Sequence, residues 1–225
     1  MTAGAQLAAD EVSSQGEVEE LEGHFESLEQ QAQAARLGMW VFLATEVLLF
    51  GAAFALFISY QVHYPGAFRQ SIEHNAKVLG TVNTGVLLTS STLVAGAVHA
   101  LRGGNRRWSS WLLAGTIGLA FVFLGIKATE YAKHFAEGIY PGGAGHFFVE
   151  HHERGTAEFW TLYYLMTGLH AVHVTIGIGV LGVLLVKIVR GRIGKLSAHK
   201  LEVGAIYWHL VDVIWIFLWP LFYLA

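Results

Sequence analysis

The sequence contains no cysteine, which excludes disulfides, thiolate metal sites and cysteine nucleophiles. Charge is scarce as well, at 14% of 225 residues, where soluble domains carry about 25%. No Lys or Arg precedes Arg36, so the N-terminal stretch has neither the cationic start of a signal peptide nor a basic face for anionic lipid. No EXXH or HEXXH string occurs, which removes the local helical signatures of zinc and di-iron sites. What fills the chain instead is apolar: 54% of the residues are hydrophobic. This composition predicts a polytopic helical membrane protein, and its apolar segments and periodicity make it all-α, a five-transmembrane-helix bundle preceded by an N-terminal amphipathic cytoplasmic helix.

The net charge of −3 hides an asymmetry, because eight of the seventeen acids lie before residue 30 and leave the membrane part mildly basic. Residues 1–16 read as a disordered acidic tail. Over 17–36, Val18, Leu21, Phe25, Leu28, Ala32 and Ala35 recur at spacings of three and four, as on one face of a helix. Its apolar stripe is expected to dock on a neighbouring subunit or on this chain's own loops. The membrane domain, 37–225, divides into spans at about 37–62, 78–101, 108–132, 157–186 and 201–224. The connections at 63–77 and 133–156 carry Pro65, Gly66, Pro141, Gly142, Gly143 and Gly145, which is turn chemistry. Glycines and small hydroxyl residues in the second and fourth spans read as close helix packing. Arg36, Arg102, Arg106, Arg107, Lys187, Arg190, Arg192, Lys195 and Lys200 fall on one side of the bilayer, against Arg69, Lys77, Lys133 and Arg154 on the other. The positive-inside rule then puts the N-terminus in the cytoplasm and the C-terminus outside. Trp108 and Trp111 are expected at the inner interface and Trp219 and Tyr223 at the outer one.

Glu46 stands out within the run from Gly38 to Tyr60, roughly 13 Å below the start of the first span at 1.5 Å per residue. A carboxylate there costs about 2.5 kcal/mol or more unless it is neutralised or partnered. His170 and His173 share a face of the fourth span, and His209 and Asp212 share a face of the fifth. With the spans oriented, all five residues fall in one slab near the midplane. Three readings compete: a metal site built across helices, haem ligation by histidines on facing helices, and a hydrogen-bonded network that ties the first, fourth and fifth spans together. The network leads, and no metal is assigned. Lys127, Glu130 and Tyr131 form a second cluster near the outer ends. Lys127 and Glu130 can pair at i, i+3, and Lys127 is expected to snorkel toward the surface. Trp40, Glu46, Lys127, Glu130, Tyr131 and Trp208 are the candidates for contact with lipid or a partner.

Five strings, in order on the five spans, resemble subunit III of the haem–copper oxidases. They are LGMWVFLATE (37–46), NTGVLLTSS (83–91), KATEY (127–131), GLHAVHVTIG (168–177) and YWHLVDVIWIFLWPLFYL (207–224). The resemblance implies a non-catalytic subunit of a cytochrome c oxidase in a bacterial inner membrane, beside subunits I and II. It places the haems and copper in those partners and no cofactor in this chain. It also implies structural phospholipid and, further off, contact with other respiratory complexes; no nucleic-acid partner is expected. Glu46 matches the family's buried helix carboxylate, with Trp40 nearby, and His170, His173, His209 and Asp212 match polar positions of its last two helices. The longer family form has seven helices and this chain shows no counterpart of the first two, so the lipid cleft they help to form does not carry over. Alternatives are a subunit of a quinol oxidase, an accessory subunit of nitric oxide reductase, or an independent proton or ion transporter relaying through the Glu46 slab.

Overall fold

A computed structural model describes residues 27–150 and 154–224. The tail at 1–16, and residues 17–26 of the amphipathic stretch, lie outside the described residues. The elements are α1 (Leu28–His63), α2 (Pro65–His74), α3 (Lys77–Arg102), α4 (Arg106–Ala136), α5 (Phe147–Glu150), α6 (Thr156–Val189) and α7 (Ala198–Tyr223). Five of these, α1, α3, α4, α6 and α7, are long and apolar enough to cross a membrane, and each overlays one predicted span.

Two boundaries differ from the sequence expectation. The amphipathic stretch is not a separate element over 28–36, because α1 runs through it without a break. Ser27 caps α1, its hydroxyl accepting from the Gln30 amide at 3.2 Å, and the good helix formers that follow give no stop signal before the first span. The connection at 63–77 is not only turn, since it holds α2. Pro65 stands in the first turn of α2, where its missing N–H costs nothing. The helix then buries Ala67, Phe68, Ser71 and Ile72 against the bundle. Gly155, at φ +103°, caps the start of α6 beneath Tyr64, and a Cβ there would collide with the Tyr64 side chain.

The bundle is organised around α7, the most buried span, which packs on α3, α6, α1 and α2. Its indoles bind it to α3: Trp208 Nε1 donates to Ser90 Oγ at 3.1 Å and Trp215 Nε1 to Thr84 Oγ1 at 3.1 Å. The α2–α3 junction joins in, with Asn75 Nδ2 donating to the Phe222 carbonyl at 2.9 Å. Tyr207 reaches α6, donating to the His173 carbonyl at 3.0 Å. Hydroxyls that face outward, including those of Thr89, Thr92, Thr129 and Thr175, donate to carbonyls three or four residues back, so they present no unmet donor to lipid. α1 is the least buried span, and its main contacts are with α2, α6 and α7. Leu37, Trp40, Leu48, Trp108, Trp111 and Val183 are among the large apolar side chains left exposed, a surface that a bilayer or a neighbouring subunit must cover.

The small residues divide into two groups. A Cβ on Gly177 would stand 2.7 Å from the Trp208 ring, and one on Gly80 2.9 Å from the Tyr223 ring. These two glycines let α7 approach α6 and α3. Gly85, Gly179 and Gly182 face open space, so for them the packing expectation is not met within this chain. Gly177→Ala is expected to destabilise the bundle by about 1–3 kcal/mol, because the hydrogen bond to Ser90 prevents the Trp208 ring from swinging aside. Unfolding in detergent micelles against a denaturant series measures it, with Gly85→Ala expected to show no such loss.

Candidate functional site

Of the five slab residues, the structure joins two. Glu46 Oε2 on α1 lies 2.8 Å from His173 Nε2 on α6, and both side chains are about nine-tenths buried. His173 Nδ1 lies 2.8 Å from the Leu169 carbonyl. A carbonyl only accepts, so Nδ1 carries a proton. One further proton is then shared between Oε2 and Nε2, and the pair is neutral overall whichever atom holds it. Neutrality is what a carboxyl needs at this depth. Phe50 closes the pair from one side, edge-on to the imidazole at 5.4 Å.

The other three slab residues do not join that pair. His209 Nδ1 on α7 lies 2.6 Å from Ser91 Oγ on α3. Ser91 is also set beside Asp212, but neither Asp212 oxygen meets hydrogen-bond geometry with any described residue. His170 is fully buried, both ring nitrogens are without a partner among the described residues, and its ring lies against Phe123 and Trp215 at 5.5 and 5.1 Å. The five therefore share a level without forming one hydrogen-bonded set. His173 has both ring nitrogens engaged, and the His170 ring lies among aromatic rings. Among the described residues no three His, Asp or Glu side chains are arranged to hold a metal ion.

The second cluster is the more complete. Lys127 does not snorkel; it is 4% exposed and turns into the bundle. Its Nζ donates to Glu130 Oε2 at 3.2 Å, Tyr163 OH at 2.9 Å and Tyr223 OH at 3.0 Å. Both phenols donate in turn to Glu130 Oε1 at 2.6 Å. Three ammonium protons and two phenolic protons thus all find acceptors, which is the condition for keeping an ion pair in a low-dielectric interior. The Tyr163 ring stands 4.8 Å from Nζ and the Tyr131 ring 5.1 Å, adding cation–π attraction. Tyr131 shares a hydrogen bond of 2.5 Å with Thr167 on α6. The knot therefore fastens α4, α6 and α7 together.

Among the contact candidates, Lys127, Glu130 and Trp208 are enclosed by the chain itself, and each spends its polar group on an internal bond. Trp40 is exposed on α1 and stays available for such contact. Tyr223 is not an interface residue but part of the knot. Sequence reasoning missed Tyr163, Thr84, Ser90 and Ser91 as partners. Tyr163 was within reach, since it lies seven residues into α6, roughly 10 Å, at a level open to comparison with the Lys127–Glu130 pair.

At the α1, α3 and α7 ends on the cation-rich side, Glu202 accepts from Arg102 at 2.7 Å and lies 3.8 Å from Arg36. Residues 17–225 match the family described as cytochrome c oxidase subunit III, which bears out the resemblance seen in the five strings. Curated relatives include the probable quinol oxidase subunit 3 of Staphylococcus haemolyticus (strain JCSC1435), 28% identical over 199 residues, 88% of this chain and 92% of the relative. The proteins of the same description from Staphylococcus aureus strains USA300 and NCTC 8325 / PS 47 match at the same identity and coverage.

Proposed function

The chain belongs to the cytochrome c oxidase subunit III family, and from that premise we propose that it is the supporting, non-catalytic subunit of a cytochrome c oxidase. Family membership makes it a membrane subunit of a respiratory haem–copper terminal oxidase. In the proposed role it covers a flank of the core subunit that holds the haems and copper, keeps lipid at that flank, and keeps the protonic entrance hydrated and stable. Its N-terminus lies in the cytoplasm of a bacterium and its C-terminus outside, following the cation-rich loops. The observation that supports a holding role is the answer each paired ionisable group finds on another helix: Glu46 on His173, and the Lys127–Glu130 pair on Tyr163 and Tyr223. Groups so engaged hold helices in register; they are not left open toward a substrate.

A second reading, subunit III of a quinol oxidase, is favoured by the description of the staphylococcal relatives. The two differ in the electron donor and hence in subunit II. Purification of the membrane complex through this chain, identification of its subunits by mass, and oxygen uptake with reduced cytochrome c or with a quinol distinguishes them. The expected result is uptake with cytochrome c and a subunit II carrying copper ligands. Uptake with quinol alone, beside a subunit II without copper ligands, assigns the second reading. A complex with no oxidase core subunit overturns both.

A further inference from the structure

Asp212 is 3% exposed on α7, and neither carboxyl oxygen has a partner among the described residues. Its buried neighbours along the helix have nothing to give it. Trp208 and Trp215 spend their indole N–H groups on Ser90 and Thr84, and Val211 is apolar. Lys127 Nζ stands 5.6 Å from the Trp215 ring but is committed to Glu130, Tyr163 and Tyr223. A carboxylate with neither cation nor donor is not tenable at membrane depth, and such a group takes up a proton instead. One side of Asp212 is different. Ser91 of α3 stands beside it, and Ser91 Oγ lies 2.6 Å from His209 Nδ1. His209 sits one turn before Asp212 on the same helix, and both it and Ser91 are only half-buried. Nδ1 makes the only hydrogen bond of that imidazole among the described residues, so Nε2 is left to the surroundings of the bundle.

We infer that Asp212 is a proton-binding site, a neutral carboxylic acid that exchanges its proton with the surroundings of the bundle through the Ser91 hydroxyl and the His209 ring. In the loaded form the acid offers its O–H to Ser91 Oγ, Ser91 donates to His209 Nδ1, and the ring proton is on Nε2. Release is one shift along this line: the Asp212 proton passes to Ser91 Oγ, the Ser91 proton to Nδ1, and the Nε2 proton leaves. One proton has then gone, the imidazole is neutral in its other tautomer, and Asp212 is a carboxylate. Uptake is the reverse. Asp212 is outside hydrogen-bond geometry with Ser91, so its carboxyl must first turn, and exchange is slow. Trp208, Val211 and Trp215 are buried beyond it, so the branch has one mouth and stores a proton without conducting it across the bilayer. Glu46 and His173 are bonded to each other and take no part. The inference goes beyond the supporting role proposed above and holds with either electron donor.

The test is infrared difference spectroscopy on the purified oxidase complex, idle for want of an electron donor and transferred from water to heavy water. The carbonyl stretch of one neutral acid should vanish in Asp212→Asn, persist in Glu46→Gln, and shift when the protein carries isotope-labelled aspartate. Heavy water should displace that band slowly. Ser91→Ala is expected to slow the displacement about a hundredfold, the low end of what a positioned proton donor contributes, while Ser91→Thr keeps the hydroxyl and the rate. If Asp212→Asn fails to assemble, Asp212→Glu gives the assignment, because it should move the band instead of deleting it. An acid spectrum unchanged in these variants means an ionised carboxyl and overturns the inference. So does an exchange rate that Ser91→Ala leaves alone. A proton leak across proteoliposomes of the idle complex that Asp212→Asn abolishes also overturns it, since the branch would then be a channel. None of these readouts involves the electron donor or subunit II, so the proton site and the proposed function fail separately.

Discussion

Lys127→Met is expected to cost the subunit about 3–5 kcal/mol, the usual consequence of removing one partner from a buried ion pair. Methionine fills the space of the lysine stem but leaves Glu130, buried on all sides, with two phenols and no cation. Lys127→Met/Glu130→Met should lose less than the single change despite deleting more bonds, because it removes the stranded charge as well. Unfolding of the purified subunit in micelles, or retention of the subunit in the oxidase after graded heating, separates the two variants. If the single and double variants were equally destabilised, the knot would be held by packing and the tyrosines rather than by charge. Tyr223→Phe isolates one strand of it. That change deletes a donor to Glu130 and an acceptor for Lys127 and should cost on the order of 1 kcal/mol.

Glu46→Ala is expected to leave the haem spectra of the assembled enzyme intact while weakening assembly or durability under turnover. The carboxyl bonds α1 to α6 through His173, and α1 has fewer contacts with the bundle than the other spans have. Loss of the carboxyl leaves His173 Nε2 facing a void at membrane depth, at a cost of about 1–3 kcal/mol. Glu46→Gln should behave close to the unaltered protein, since an amide N–H can donate to Nε2 while Nδ1–H stays on the Leu169 carbonyl. Assembly is read from the ratio of this subunit to the core subunit after purification, and durability from oxygen uptake over successive turnovers. Loss of haem signal from a fully assembled complex would contradict a holding role and place Glu46 in the chemistry.

The five spans were legible in the sequence because each is a run of apolar residues set by one length, the thickness of hydrocarbon. Depth was legible for the same reason, and it brought Glu46 and His173 to one level. Depth alone does not give azimuth. His170 and Asp212 share that level but face elsewhere, and His209 turns to Ser91 on a helix that the level argument left out. Its distance to the helix end predicts Lys127 at the outer surface. The structure turns it inward because Tyr163 and Tyr223 supply acceptors that no pattern within α4 reveals. The NTGVLLTSS string read as small residues for close packing, whereas Thr84, Ser90 and Ser91 are acceptors and donors for α7. α2 was hidden by its own turn-like opening, Pro65–Gly66, which in context is the first turn of a helix.

The central place of α7 bears on how the protein is made. A ribosome delivers α1, α3, α4 and α6 to the bilayer before it finishes the helix against which α1, α3 and α6 pack. During that interval Lys127 and Glu130 lack the Tyr223 hydroxyl, Ser90 and Thr84 lack the indoles they later meet, and the glycine surfaces of α3 and α6 are unfilled. A nascent chain that stops before α7 therefore leaves polar side chains and notched helix faces in the bilayer without the hydroxyl and the indoles that answer them in the finished subunit.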